Sequence, residues 1–337
     1  MRILVTGGAG FVGARLARAL LARGALSGRA IGELVIADQF PAPADLAQHP
    51  SVRVHVGPML EQLALFASGF DSVFHLASAV SGECELDFDL GLRSNLDSTR
   101  CLLEGLRQAH AATGQVARMV FSSSVAVYGP NPPAPLPDWV DDGQLPSPQT
   151  SYGAHKLMCE YLLADYSRKG YIDGRSARLM TVTVRPGKPN GAASGFFSGI
   201  IREPLAGIEA VCPVDASVSH CMASPDNTVA ALIAIHEASR EALGGRYGIN
   251  LPSVRVTVGE MLQALEQVAG PRVRARVRFE RDERIAGIVN DWARGARFGR
   301  AQALGLRADA SFAAIIEQYI ADCRRTGNTA ALRGLDG

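Results

Sequence analysis

The sequence predicts an α/β fold in which a doubly wound parallel sheet carries helices on both faces. Short apolar segments alternate with helical patterns over the first half of the 337-residue chain, which is typical of repeated strand–helix–strand units. A glycine-rich segment at 6–13 joins the first predicted strand to the first predicted helix. The composition, 47% hydrophobic and 20% charged residues, is that of an ordinary globular protein.

Each element of the first half is predicted from its local pattern. Short apolar runs bounded by polar residues predict strands at 3–5, 34–36, 52–56, 73–76, 119–121 and 180–184. Apolar residues at helical spacing predict helices at 11–23, 90–110 and 152–168.

Two long connections interrupt the pattern in the second half. The segment 129–150 contains seven prolines, and 186–218 is also too long for a simple turn. Loops of this length usually cover a site. We expect one domain from 1–184 with 219–250, and a smaller C-terminal substrate domain from 185–218 with 251–337.

The C-terminal half nevertheless contains regular elements. A helix at 225–239 followed by a strand at 246–250 indicates that the chain returns to the sheet. Thr257 and Glu260 form a capping box, which begins another helix. Arginines alternate with apolar residues over 272–278, and this alternation predicts a half-exposed strand.

Charge and cysteine content exclude several classes of protein. The formal net charge is +1, so we expect neither nucleic acid nor a membrane surface as a partner. No apolar run approaches the roughly 18 residues of a membrane span. The six cysteines form no C-x-x-C pair, and no histidine lies at ligand spacing. We therefore expect reduced thiols, no metal site and a cytoplasmic location.

The glycine-rich segment has the spacing of a dinucleotide-binding loop. Gly7 would permit the tight turn, Gly10 would let the backbone approach a diphosphate, and Gly13 would allow close helix packing. Phe11 and Val12 begin the helix, whose free N–H groups and dipole favour an anion. The position of this loop between the first strand and the first helix makes it a specific signal.

Asp38 ends the second predicted strand, 25 residues after Gly13. A carboxylate there can accept hydrogen bonds from the ribose hydroxyls of adenosine and would repel a 2′-phosphate. No lysine or arginine follows within the next few residues. The sequence therefore favours NAD over NADP.

Tyr152 and Lys156 stand four residues apart on one predicted helix, and hence on one face. Because a nearby ammonium lowers a phenol pKa, we expect Lys156 to bring Tyr152 towards the phenolate that a general base requires. Lys156 is also one of only three lysines among 34 basic residues. Three serines, Ser122 to Ser124, close the fifth strand, where a hydroxyl could form a hydrogen bond with the substrate oxygen.

These motifs occur in one order along the chain. They are TGGAGFVG at 6–13, HLAS at 75–78, Asn95, FSSSVAVYG at 121–129 and Tyr152-x-x-x-Lys156. Together they resemble the extended short-chain dehydrogenase/reductase family over essentially the full length. The resemblance implies a Rossmann fold and a catalytic triad of Ser124, Tyr152 and Lys156.

The same resemblance implies further roles. Ala77 and Ser78 would line the cofactor together with Lys156. Asn95 would bridge strand ends through a water, and His75 would be a packed strand residue rather than a base. A homodimer is plausible, since family members often pair through helices beside the Tyr-Lys helix.

Departures from the family pattern indicate a small substrate. Residues 218–227 lack the arginine with which nucleotide-sugar enzymes commonly hold a diphosphate, and 185–198 are small and glycine-rich. The segments 79–85 and 184–205 resemble the D-erythronate dehydrogenases of this family. That resemblance implies NAD-dependent oxidation of a four-carbon sugar acid at C2, giving 2-dehydro-D-erythronate.

A sugar acid needs a cationic or hydrogen-bonding partner for its carboxylate. Lys188 is the first candidate, followed by Arg185, Asn190 and His220. Ser124 and Tyr152 would contact the reacting hydroxyl. Two other functions stay open: a nucleotide-sugar epimerase or dehydratase that recycles its NAD, and a non-catalytic dinucleotide sensor.

Overall fold

The computed structural model describes residues 1–131, 133, 135–187 and 193–336. Its strands are β1 Arg2–Thr6, β2 Ala25–Leu26, β3 Arg29–Ala30, β4 Glu33–Asp38, β5 Val52–Val56, β6 Ser72–His75, β7 Ala117–Ser124, β8 Ile172–Leu179, β9 Thr181–Val182, β10 Ala210–Cys212, β11 Ser219–Ala223, β12 Ile249–Asn250, β13 Val254–Thr257 and β14 Val277–Phe279.

The α-helices are α1 Phe11–Arg23, α2 Ala44–Ala47, α3 Leu63–Ala67, α4 Ser81–Leu86, α5 Phe88–Gly91, α6 Ser98–Thr113, α7 Ser151–Arg168, α8 Gly195–Leu205, α9 Pro225–Glu237, α10 Val258–Ala269, α11 Pro271–Arg274, α12 Glu283–Asn290, α13 Gly299–Ala303 and α14 Phe312–Arg325. A π-helix covers Leu92–Asp97, and 3₁₀ turns cover Met59–Glu61, Val125–Val127 and Thr329–Leu335.

The main sheet has seven strands in the order β12-β8-β7-β6-β1-β4-β5, and all of its pairs are parallel. The chain winds outwards from β1 in one direction and then, from β6, in the other. The predicted doubly wound sheet is therefore confirmed. Its switch point lies between β1 and β6, where folds of this kind bind ligands outside the carboxyl ends of the strands.

One strand of the main sheet differs from the sequence prediction. We expected a strand at 180–184, but the sixth parallel strand is β8, and β9 pairs instead with β11 in a separate three-stranded sheet. The polar residues of β8 interrupt the apolar run by which a buried strand is predicted. Arg175 and Arg178 are buried, and both are partnered, by carbonyl oxygens of α9 and by Glu160 respectively.

The alternating arginines also fold differently from the prediction. Residues 271–274 form the short helix α11, which begins with Pro271 at its first position. Only β14 is extended, and it pairs in parallel with β10. Proline fits the first turn of a helix, because its missing N–H is not needed there. The capping box of Thr257 and Glu260 is present at the start of α10.

Buried apolar residues form separate clusters on the two faces of the main sheet. Another large cluster lies away from that sheet and includes residues of α8, α10 and α14. We propose that this cluster is the core of the smaller domain expected from the sequence. Among the described helices, none is both long enough and apolar enough to cross a membrane.

Candidate functional site

The glycine loop between β1 and α1 depends on the absence of side chains. Gly7 has φ +69°, and a Cβ atom there would lie 2.6 Å from the backbone nitrogen of Ala77. A Cβ atom on Gly13 would lie 2.1 Å from the carbonyl oxygen of Gly7. Gly13 therefore allows α1 to pack against the loop itself. Gly10 is the N-cap residue of α1 and gives the helix no side-chain cap.

The first turn of α1 is suited to an anion. It contains no acidic residue, and no side chain in the described part of the chain caps its N–H groups. Phe11 and Val12 line a cavity at the carboxyl edge of the sheet. A dinucleotide diphosphate fits this arrangement, because unpaired N–H groups and the helix dipole both attract negative charge.

Asp38 lies where the sequence placed it, at the end of β4. Its carboxylate accepts hydrogen bonds from the backbone N–H of Ala9, at 2.9 Å, and from that of Phe40, at 3.1 Å. The side chain thus ties the glycine loop to the strand end. Each carboxylate oxygen retains capacity for a ribose hydroxyl.

The end of β6 forms the neighbouring wall. Ala77 lies against Gly7, and Ser78 lines the cavity. Asn95, in the π-helix, accepts directly from the Ser78 hydroxyl at 3.0 Å and from the Ala79 N–H at 2.7 Å. Asn95 therefore fixes the strand end by direct contacts, and the water bridge implied by the family resemblance stays a prediction.

His75 is a packed strand residue, as predicted. It is fully buried, and its ring nitrogens contact the hydroxyls of Thr6, at 2.6 Å, and Thr99, at 2.8 Å. Burial lowers its pKa to about 3, so the ring is neutral at ordinary pH.

The cavity at this edge has a volume of about 1200 Å³. Residues from both long connections line it, including Gln149, Thr150 and 193–196, in agreement with the expectation that these segments cover a site. Its chemically active lining includes Ser78, Ser124, Tyr152, Lys156, Thr181, Arg185, His220 and Trp292.

Ser124, Tyr152 and Lys156 all face this cavity. Tyr152 and Lys156 lie in the first two turns of α7, whose N-cap Thr150 accepts a hydrogen bond from the Gly153 N–H. The Lys156 ammonium donates to the Ser122 carbonyl at 2.8 Å and lies 5.4 Å from the centre of the Tyr152 ring. The predicted catalytic residues thus converge at one place.

The protonation of Tyr152 differs from the sequence expectation. Burial raises its pKa to about 12, and the opposing influences are the Ser124 hydroxyl and the Arg185 charge rather than Lys156. Lys156 is itself buried, and burial lowers its pKa to about 8. Burial therefore keeps the Tyr152 phenol protonated in the free enzyme.

The positive charge of Arg185 acts on Tyr152 and opposes the rise in its pKa. Its guanidinium donates to the Ser194 hydroxyl at 3.0 Å and to the Val182 carbonyl at 3.2 Å. Both of these partners are neutral, and no carboxylate of the described residues contacts the guanidinium, whose pKa is lowered by burial. Arg185 is therefore well suited to an anionic group inside the cavity.

The other residues predicted to bind the substrate carboxylate are Lys188, Asn190 and His220. Lys188 and Asn190 lie outside the described residues. His220 lines the cavity, but its two ring nitrogens contact the Ala293 carbonyl, at 3.0 Å, and the Thr181 hydroxyl, at 2.8 Å. Its contacts favour a role in organising neighbours over direct binding of a carboxylate.

Thr181 and Trp292 are among the cavity residues that sequence reasoning did not identify. Thr181 looked like part of an apolar strand, and Trp292 lies more than 100 residues from Arg185 in a region without a motif. Only the rarity of tryptophan, with two in the chain, could have singled out Trp292.

Comparisons with known proteins identify the family of this chain. Residues 3–247 match the NAD dependent epimerase/dehydratase family. The D-erythronate dehydrogenase of Cupriavidus necator is 47% identical over 329 residues, covering 96% of this chain and 98% of that protein. The D-erythronate dehydrogenase of Haemophilus influenzae is 39% identical and covers 95% and 99%.

A solved structure gives the same fold. The nucleoside-diphosphate-sugar epimerase from Agrobacterium tumefaciens aligns with a TM-score of 0.90 and 43% identity, covering 98% of this chain and 96% of that one. The match to the family over most of the chain, together with the nearly full-length relatives, shows that this protein belongs to the NAD dependent epimerase/dehydratase family and uses NAD as its cofactor.

Proposed function

We propose that this enzyme is an NAD-dependent dehydrogenase that oxidises the C2 hydroxyl of a small sugar acid, D-erythronate, to 2-dehydro-D-erythronate. The observation that carries the proposal is the convergence of Ser124, Tyr152, Lys156 and Arg185 on one cavity beside the glycine loop. Two relatives that cover nearly the whole chain bear the name D-erythronate dehydrogenase.

Tyr152, in its phenolate form, acts as the general base that takes the proton of the C2 hydroxyl and becomes the neutral phenol. Ser124 donates a hydrogen bond to the same oxygen and holds it beside the phenol. When bound, NAD would supply the hydride acceptor for C2, and its positively charged nicotinamide ring would favour the phenolate form of Tyr152. The Lys156 ammonium, fixed by the Ser122 carbonyl, is available to ribose hydroxyls on the cofactor side of the cavity. Positioning of the reacting groups at ~3–3.5 Å is the main contribution expected of such a site.

Arg185 binds the substrate carboxylate in this proposal. A guanidinium can donate two parallel hydrogen bonds to a carboxylate, which fixes its orientation as well as its position. The effect of Arg185 on the Tyr152 pKa means that the two groups are close enough to interact. A carboxylate on Arg185 would therefore bring the adjacent C2 hydroxyl towards Tyr152.

The first test is NADH formation by the purified enzyme with NAD and D-erythronate, L-threonate or a uronic acid. We expect turnover of D-erythronate and its loss in Tyr152→Phe, which keeps the ring but has no phenol oxygen. Arg185→Met should reduce kcat/KM by about 10- to 100-fold, as expected for loss of a charge-assisted hydrogen bond. Arg284→Met is the matched control, since Arg284 also lines the cavity. An unchanged kcat/KM in Arg185→Met would remove Arg185 from this role.

A nucleotide-sugar epimerase is the second candidate, favoured by the name and 43% identity of the Agrobacterium tumefaciens structure. The described segment around β11 has no arginine for a diphosphate. Conversion of UDP-sugars without NADH accumulation, combined with no turnover of any acid, would favour the epimerase.

A further inference from the structure

We infer that Thr181 determines substrate specificity: its hydroxyl oxygen accepts a hydrogen bond from a hydroxyl on C3 or C4 of the substrate, and His220 is the positioning residue that orients it. The inference rests on the proposed function for the identity of the substrate. Its basis is the chain of hydrogen bonds that runs from the Ala293 carbonyl through His220 to Thr181.

The orientation of the His220 ring is fixed by packing. The ring is stacked on Phe197, with centroids 5.5 Å apart and planes 8° apart, and Trp292 lies 5.2 Å away. Only 2% of the residue is exposed. The ring cannot exchange its two nitrogens without displacing these neighbours.

The tautomer of His220 follows from its partners. Nδ1 lies 3.0 Å from the Ala293 carbonyl oxygen, which can only accept, so Nδ1 carries the hydrogen. Burial lowers the pKa of His220 to about 4, so at neutral pH the ring carries only that one hydrogen. Nε2 is therefore an acceptor.

The Thr181 hydroxyl must then donate to Nε2, at 2.8 Å. A hydroxyl has one hydrogen and two lone pairs, so the oxygen can serve any further partner only as an acceptor. The Thr181 backbone is held in register by β9 pairing with β11, opposite Met222. Thr181 lines the same cavity as Tyr152 and Arg185.

This arrangement favours a substrate group that donates a hydrogen bond to the Thr181 oxygen. A substrate hydroxyl satisfies the Thr181 oxygen, whereas a methyl group leaves it unpaired and a carboxylate oxygen repels it. With the carboxylate on Arg185 and C2 at Tyr152, the distal carbons of a polyhydroxy acid are the part left for Thr181. The site thus prefers a polyhydroxy acid to a simple 2-hydroxy acid.

The kinetic test compares D-erythronate with 2-hydroxybutanoate of the same C2 configuration, which lacks both distal hydroxyls. We expect the ratio of kcat/KM for D-erythronate to that for 2-hydroxybutanoate to be about tenfold lower in Thr181→Val than in the wild type. This is the effect expected when one hydrogen bond is lost and its partner is left unpaired. Thr181→Ser should retain the preference. His220→Phe, which keeps a stacked ring, should raise KM for D-erythronate far more than for 2-hydroxybutanoate. A merely structural role would affect both acids equally.

The second test is independent of turnover. ¹⁵N NMR of histidine-labelled protein, assigned with His220→Phe, should give a protonated Nδ1 and an unprotonated Nε2 at neutral pH. A protonated Nε2 would overturn the inference whatever the kinetics. The correct tautomer with an unchanged preference in Thr181→Val would overturn the substrate contact. If the wild type oxidises no hydroxy acid, the proposed function fails, and the substrate assigned to Thr181 fails with it.

Discussion

Burial of Lys156 should make the stability of the free enzyme rise with pH. The residue is 2% exposed, and burial lowers its pKa from 10.5 to about 8. Between these values the unfolded chain binds a proton that the folded chain does not, so the free energy of unfolding increases with pH. The free energy of unfolding rises by about 1.4 kcal/mol per pH unit in this range, which amounts to about 3 kcal/mol between pH 8 and pH 10.5.

Urea unfolding from about pH 7 to about pH 10 tests this expectation. Other groups also titrate in that range, so the quantity to measure is the difference between wild type and Lys156→Met. Methionine keeps an unbranched chain and removes the charge. We expect Lys156→Met to be more stable near pH 7 and to lose about 2–3 kcal/mol of that advantage by about pH 10. Lys169→Met, at an exposed lysine, is the control and should follow the wild type. Parallel curves for wild type and Lys156→Met would refute the reasoning.

Three further predictions follow from the packing and charges of the site. Gly13→Ala places a Cβ atom 2.1 Å from a backbone carbonyl oxygen. We therefore expect the free energy of unfolding, measured with urea, to fall by about 3 kcal/mol or more, and NAD binding to be lost in calorimetry. The control Gly299→Ala, which has open space around it, should change neither quantity. Glu160→Gln leaves the buried guanidinium of Arg178 without its counter-charge and should cost about 3–5 kcal/mol; a loss below about 1 kcal/mol would contradict this account. Asp38→Ala should lower the ratio of kcat/KM for NAD to that for NADP by at least about tenfold, and an unchanged ratio would mean that Asp38 does not contact the ribose.

The parts of the site that could be predicted from sequence are those that depend on local spacing. Gly7, Gly10 and Gly13 lie within seven consecutive residues that form the loop and the start of α1. Their spacing along the chain therefore determines their positions relative to one another. Tyr152 and Lys156 share a face because a helix brings residues four apart together. The order of motifs along a parallel sheet then brings Ser124 to the same edge, because consecutive strands end there.

The parts that could not be predicted depend on partners distant in sequence. Arg175 and Arg178 made β8 look unlike a buried strand, since their partners lie on other elements. The high pKa of Tyr152 in the free enzyme could not be predicted, because it results from burial, which depends on the whole fold. His220 contacts a carbonyl 73 residues away, and no local pattern records that contact.

The buried ion pair of Glu160 and Arg178 gives a physical reason for charged groups inside the core. Glu160 follows Lys156 by one turn of α7, and it accepts from Ser123, next to Ser124. Arg178 donates two hydrogen bonds to Glu160, at 2.9 and 2.7 Å, and thereby ties α7 to β8. An apolar pair would be equally stable, because desolvation offsets most of the Coulomb attraction. Hydrogen bonds, unlike apolar contacts, fix the rotation of a helix about its axis. The network therefore holds the helix face that carries Tyr152 in register with the strand that carries Ser124.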